Sequence, residues 1–206
     1  LRIAYCRDPS ALGTSDDCRA TFETMLDLLR AAGAALVPID LEIFALSRLR
    51  RAIFGACEHA LWREHAANLR NSSGDALGYS PALRKLLAYG GALDATKLQA
   101  IASRIATFRA EFPRALVGTD ALVTPTTPRA AFDLAAPPPD DVADFTVIAS
   151  ATGAPALSLP MPSVDRDAPP LGLQIVGSHG EDQKISKIAA AIDAAVAYPR
   201  QPIALR

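Results

Sequence analysis

The sequence predicts a layered α/β domain, and three observations carry that prediction. Short apolar runs that read as strands alternate with longer stretches whose apolar residues recur at helical spacing. The first forty residues hold strand, helix and strand in succession, the pattern of a βαβ crossover with both strands in one sheet. Gly, Pro, Asn and Ser then punctuate most of the boundaries that follow.

Leu1 to Cys6 is a short apolar run, the first expected strand. Thr14-Ser15-Asp16-Asp17 supplies helix-start residues, because short side-chain oxygens accept from free N–H groups and acids suit the positive helix end. Phe22, Met25, Leu26 and Leu29 follow at helical spacing, and Gly33 is a natural stop just past the end. Ala35 to Ile39 is the second strand. From Leu41 to Arg70 the pattern is helical and amphipathic, with Leu46, Leu49, Ile53 and Leu61 on the apolar side. Asn71-Ser72-Ser73-Gly74 breaks it.

Ser80-Pro81 reads as an N-cap followed by proline at the first helical position, where its missing N–H costs nothing. That helix ends at Gly90-Gly91. A longer one is expected from Asp94 to Leu116, with Leu98, Ile101, Ile105, Phe108 and Phe112, and Pro113 should kink it or end it early. Ala121-Leu122-Val123 is a buried-type strand running into Thr124-Pro125-Thr126-Thr127-Pro128, which cannot continue a helix or a central strand. Pro137-Pro138-Pro139 makes a stiff extended connector. A helix from Asp141 to Thr152, a strand at Ala156 to Leu159, a loop from Met161 to Pro170 and a strand at Leu171 to Val176 come next. Ser178-His179-Gly180-Glu181 reads as a capping box opening a last helix to about Ala197.

With 206 residues the chain is long enough to bury a substantial core. Mean hydropathy is +0.16, raised by alanine, yet no uninterrupted apolar run approaches the ~20 residues of a bilayer span. A net charge of −1 advertises no phosphate-backbone face, so neither nucleic acid nor membrane is expected as a direct partner. Three scattered cysteines, Cys6, Cys18 and Cys57, read as reduced thiols of a cytoplasmic chain. Opening inside a strand without an initiator Met reads as a piece cut from a longer protein, with natural truncation as the other reading.

Residue chemistry alone offers no self-contained active site. Cys57, His59 and His65 lie close in sequence, but steps of two and six on a helix point to different faces, so no metal centre is expected there. There is no G-x-S-x-G elbow, and the cysteines lack an orienting acid or histidine. Gly177-Ser178-His179-Gly180 joins a strand to a helix N-terminus without the Lys of a phosphate loop, and an ordinary tight connection explains it. No cofactor is implied.

From Asp120 onward the sequence resembles the amidase signature hydrolases. Asp120 to Pro128, DALVTPTTP, is similar to the family's strand and loop "DxLxTPTxP". Phe145 to Pro160, FTVIASATGAPALSLP, resembles "fxxpfNltGlPalslP", and Leu171 to Gly177, LGLQIVG, resembles "vGlQivG". Upstream, LRIAYCRD with its following helix and ALVPIDL resembles the opening of the family's C-terminal half, and Ser80 to Gly90 resembles "spxvrxrlxxG".

The resemblance implies an α/β/α fold with a mixed sheet, and that residues 1–206 are the C-terminal portion of an amidase signature domain. Residues 1–118 would be the strand-helix-strand and helical segment, and 119–206 the motif strands and final helix. It also implies hydrolysis of carbon–nitrogen amide bonds by a Ser–Ser–Lys triad that belongs to the other half. No Gly/Ser-rich nucleophile loop is present, the only lysines (Lys85, Lys97, Lys184, Lys187) fall on expected helices, and Ser150 stands where the family has Asn. The half expected here is the substrate side. Thr124, Pro125 and Thr126, with Ser150, Thr152 and Gly153, would form the pocket wall against a small amide. Alone it is expected to be inactive and to need the catalytic half, or to self-associate. The alternative is a non-catalytic binding or partner subunit that keeps the fold.

Overall fold

The computed structural model describes residues 1–71, 78–162 and 169–196. Its centre is one mixed sheet of five strands in the order β2-β1-β3-β5-β4. The strands are β1 (Arg2–Cys6), β2 (Ala35–Ile39), β3 (Ala121–Pro125), β4 (Ala156–Pro160) and β5 (Gly172–Val176). β1 runs parallel to β2 and β3, whereas β5 is antiparallel to both β3 and β4. Ile3, Leu122, Val123, Leu173 and Ile175 are fully buried, so the middle of the sheet lies inside the core.

Helix α1 (Asp16–Ala31) follows its sequence signals closely. Ser15 is its N-cap, Phe22, Met25, Leu26 and Leu29 are buried, and Gly33 takes a φ of 86° one residue beyond Ala32. α1 packs on the sheet and on α6 (Asp182–Val196). A second group contains α2 (Leu46–Asn71), α4 (Ala95–Ala115) and α5 (Val147–Thr152), with α3 (Pro81–Gly91) lying against α2. Phe44, Phe108 and Phe112 form an aromatic cluster with centroids 4.9–5.6 Å apart. It ties the start of α2 to the end of α4. Leu98, Ile101 and Ile105 stay half-buried and Leu61 is exposed, because α2 and α4 leave an open groove lined by Ala56, Ala60, Ile101 and Ile105.

Five expectations need correction. Thr124 and Pro125, expected to end a central strand, continue β3, the middle strand, where they pair with Gln174 and Leu173. Pro125 is tolerated because its missing N–H falls beyond the last β1–β3 pair, Tyr5 with Val123. The segment from Leu41 opens with a 3-10 turn at Glu42–Phe44, and left-handed Ala45 (φ 48°) separates it from α2. Its expected break at Asn71–Gly74 lies mostly outside the described residues. Pro113 does not stop α4 at once. It sits in the final turn, where only the Arg109 carbonyl loses its helical partner and the helix ends two residues later.

The helix expected from Asp141 starts only at Val147. Residues 141–146 are turns, in which Asp144 is buried and receives Ser47 Oγ and Arg50 Nε, each at 2.5 Å. At the start of α6 the capping box is absent. Glu181 sends its carboxylate to Lys184 at 3.4 Å, and its N–H donates to the Ser178 carbonyl at 3.1 Å. The expected loop at Met161–Pro170 and the end of the last helix fall partly outside the described residues.

Both sheet edges carry a proline. Ala35 N–H donates to Leu1 O and Arg7 N–H to Ile39 O, so odd residues of β2 face β1 and Pro38 faces outward. On β4, Met161 N–H donates to Leu171 O and Gly177 N–H to Pro155 O, which turns Ala156, Ser158 and Pro160 outward. β4 is the barer edge. Ala156, Leu157, Ser158 and Pro160 are all exposed.

Candidate active site

Parallel strands of α/β sheets place ligands beyond their carboxyl ends. β1, β2 and β3 share one such end, and the chain leaves the sheet there through Thr126–Pro128. Thr124 is fully buried, donates to Pro125 O at 2.8 Å and accepts from Gln174 Nε2 at 3.1 Å. The same amide nitrogen donates to Phe145 O at 3.1 Å, pinning the approach to α5 onto the sheet. Thr126 donates its N–H to Gly172 O at 2.7 Å, and its hydroxyl lies 2.6 Å from Ser158 Oγ.

The turn is held from below by α1. Ser15 directs both its N–H (2.8 Å) and its hydroxyl (3.3 Å) to Pro128 O, and Cys18 Sγ lies 3.4 Å from Thr127 O. Burial pushes the Cys18 thiol up to about 11 and the Cys6 thiol up to about 12, so both are protonated and inert at neutral pH. Prolines at 125 and 128 and these bonds together make the turn stiff. Beyond it Arg129 forms an ion pair with Asp141, while Arg129 Nε, Asp141 Oδ1 and the nearby Thr14 Oγ1 are buried with no partner.

The other three candidates stand elsewhere. Ser150, exposed on α5, donates to Thr146 O at 3.3 Å. Thr152 donates to Ile148 O at 2.8 Å and accepts from Ala154 N–H at 3.3 Å. Gly153 closes α5 at φ 70°, and a Cβ there would stand 3.4 Å from the His179 ring. Because Ala156 pairs with Val176 and Pro160 with Gly172, β4 travels the length of the sheet between the two groups. Four residue steps separate them by ~13 Å. Thr124–Thr126 and Gly153 therefore occupy opposite ends of the sheet.

What joins the first group is a row that sequence reasoning missed: Thr124, Gln174 and Ser158, opposite one another on β3, β5 and β4. A glutamine inside the apolar run Leu171–Val176 was the available signal, since a buried amide must find partners. On α2, His59 Nδ1 lies 3.0 Å from Gly90 O and His65 Nδ1 2.7 Å from Tyr79 Oη. Among the described residues no three His, Cys, Asp or Glu side chains are placed to hold a metal. Lys97 pairs with Asp94, and Lys184 with Asp120 and Glu181. Among the described residues no serine is hydrogen-bonded to a lysine, and no helix is long and apolar enough to cross a membrane.

Comparison with known sequences gives a family model, described as Amidase, that matches residues 1–185. The chain belongs to the amidase family. The A subunit of glutamyl-tRNA(Gln) amidotransferase from Granulibacter bethesdensis is 30% identical over 227 residues, which cover 98% of this amidase chain and 45% of that protein. A solved structure described as an amidase aligns with a TM-score of 0.82 at 25% identity, over 95% of this chain and 45% of its own. The corresponding amidotransferase protein of Thermotoga maritima gives 0.68 at 23% identity, over 96% and 43%, a likeness of fold alone. The amidase chain thus spans about half the length of the relatives it matches.

Proposed function

We propose that this chain is the C-terminal, substrate-side half of an amidase-type hydrolase acting on carbon–nitrogen amide bonds, and that it does not turn over by itself. The observation that carries the reading is a family match over residues 1–185 in a chain spanning about 45% of its relatives, with no serine bonded to a lysine among the described residues. The open β4 edge supports a second half as partner, since exposed strand edges recruit other chains. The end of β3 forms the wall that faces a small amide, with Thr126 and Ser158 at its surface and Thr124 and Pro125 buried behind them. Ser150, Thr152 and Gly153 form a second contact patch at the far end of the sheet. Cys6 and Cys18, buried and free, support a reducing cytoplasmic setting.

The test is hydrolysis of a panel of small amides by the purified chain, alone and with its nucleophile-bearing half. Turnover is expected only from the pair. Activity of the chain alone, or covalent labelling of Ser150, Ser158 or Ser178 by a fluorophosphonate, would overturn the reading. A self-sufficient monomer whose second half adds no activity would favour a non-catalytic subunit instead.

A further inference from the structure

The segment from Arg129 to Asp141 leaves the sheet directly after the Thr124–Pro128 turn, contains neither helix nor strand, and comes back to its own start. The Arg129–Asp141 ion pair joins its ends. A surface loop closed in this way is an Ω-loop, a form that often carries function. Asp133 builds a turn at its tip, where Oδ1 accepts from Ala135 N–H at 2.8 Å and the carbonyl from Ala136 N–H at 3.0 Å. Pro137-Pro138-Pro139 stiffens the returning limb. The turn holds Leu134 outward, 98% exposed, with Phe132 beside it at 39%. An unstructured loop would let a leucine fold back onto the surface. Here a built turn presents it to water.

We propose that the Leu134 tip docks into the nucleophile-bearing half of the amidase and seats that half over the Thr124–Thr126 end of the sheet. The inference rests on the function proposed above and adds the place of contact. Three observations favour this occupant. More than half of each named relative's length lies beyond what this chain spans. The loop springs from the turn assigned to the substrate wall. A lone projecting side chain needs a hollow to receive it, and the larger share of each relative's length, absent from this chain, is where such a hollow is sought. The receiving surface is an apolar hollow, matched to Leu134 with Phe132 beside it.

In the complete protein, whether its halves share one chain or two, Leu134 is replaced by the photoreactive residue benzoylphenylalanine. After irradiation the linked peptides are read by mass spectrometry. The expected product joins position 134 to a peptide of the half carrying the amidase serine and lysine. Links confined to this chain or to a second copy would overturn the docking proposal. So would no link at all in a protein that still hydrolyses amides, and that result would leave the functional reading standing. A link to a protein lacking the serine and lysine, with no turnover on the amide panel, would overturn both.

Discussion

The Thr126 and Ser158 hydroxyls meet at 2.6 Å, although β5 runs between the strands that carry them. The bond crosses at Gly172, the one position of β5 with no side chain to stand in its way. A polar link therefore ties the turn after β3 to the outer strand β4, at the end of the sheet proposed to face substrate.

Gly172→Ala is expected to break that link. A methyl there would stand 2.6 Å from Thr126 Oγ1, 2.7 Å from Ser158 Oγ and 3.0 Å from Thr126 Cβ. Two short side chains rooted in flanking strands have little room to retreat, so the cost should be about 1–3 kcal/mol. Urea denaturation measures it, and adding Ser158→Ala should recover part of the loss. An unchanged midpoint for the single variant would show that the strands yield freely.

Gly153→Val should cost a similar ~1–3 kcal/mol for a different reason. The position is left-handed at φ 70°, which a β-branched residue strongly resists, while the His179 ring limits the space beside it. Gly153→Asn should lose less, because Asn tolerates that region. Equal midpoints for wild type and the Val variant would mean the turn is relaxed.

Asp144→Ala leaves Arg50 and Ser47 facing a vacated buried site. The Arg50 side chain is only 15% exposed, so its charge would be poorly compensated. The expected loss is about 3–5 kcal/mol, the range for breaking one side of a buried pair. Replacing both partners, Asp144→Leu with Arg50→Met, should recover most of it in the same thermal melt. A double variant no better than the single would assign the loss to the hydroxyl and the turn instead.

The thiols give a pH signature. Cys6 and Cys18 titrate near 12 and 11 in the folded chain because burial disfavours their anions, against 9.0 unhindered. The folded state thus holds these protons more tightly than the unfolded state. The stabilisation is complete below about pH 9 and is lost as pH rises through the folded values. Stability should fall between about pH 9 and 12, and less steeply in Cys6→Ala or Cys18→Ala. At pH 8 a thiol reagent should modify exposed Cys57 in the folded chain and reach the other two only on unfolding. Rapid modification of all three would contradict the burial.

Where local chemistry decides structure, the sequence was a sufficient guide. The Phe22–Leu29 spacing and Gly33 do in α1 what their residue types favour, and β1-α1-β2 closes as a parallel pair, whereas Ser15 takes the N-cap position without a side-chain cap bond and gives its hydroxyl to Pro128 O. Two of the misreadings, at the start of α5 and of α6, come from side chains claimed by other partners. The helix expected from Asp141 starts only at Val147, and in the turns before it Ser47 and Arg50, almost a hundred residues earlier, claim the Asp144 carboxylate. Glu181 likewise turns to Lys184 and away from the backbone it was expected to cap. The candidate wall suffered from the same blindness to distance. Gly153 stands just before β4, whose run from Ala156 to Pro160 carries the chain across the sheet to the Thr126 end. Gln174, which binds the wall together, lay inside a recognised motif without a role because its partners come from β3 and the approach to α5.

The two outward prolines make the sheet a one-sided ruler. Pro38 removes a central donor from the β2 margin, so a strand arriving there meets a gap in the ladder. At β4 an arriving strand finds the N–H groups of Ala156 and Ser158 in sequence and then, at Pro160, none. Sliding by two residues would forfeit one of the two donors that β4 offers while its outward carbonyls still accept, so the correct alignment keeps one more amide hydrogen bond than its neighbours. A companion polypeptide adding to this margin would be measured as well as bound, its register read off against Pro160 before any side chain engages.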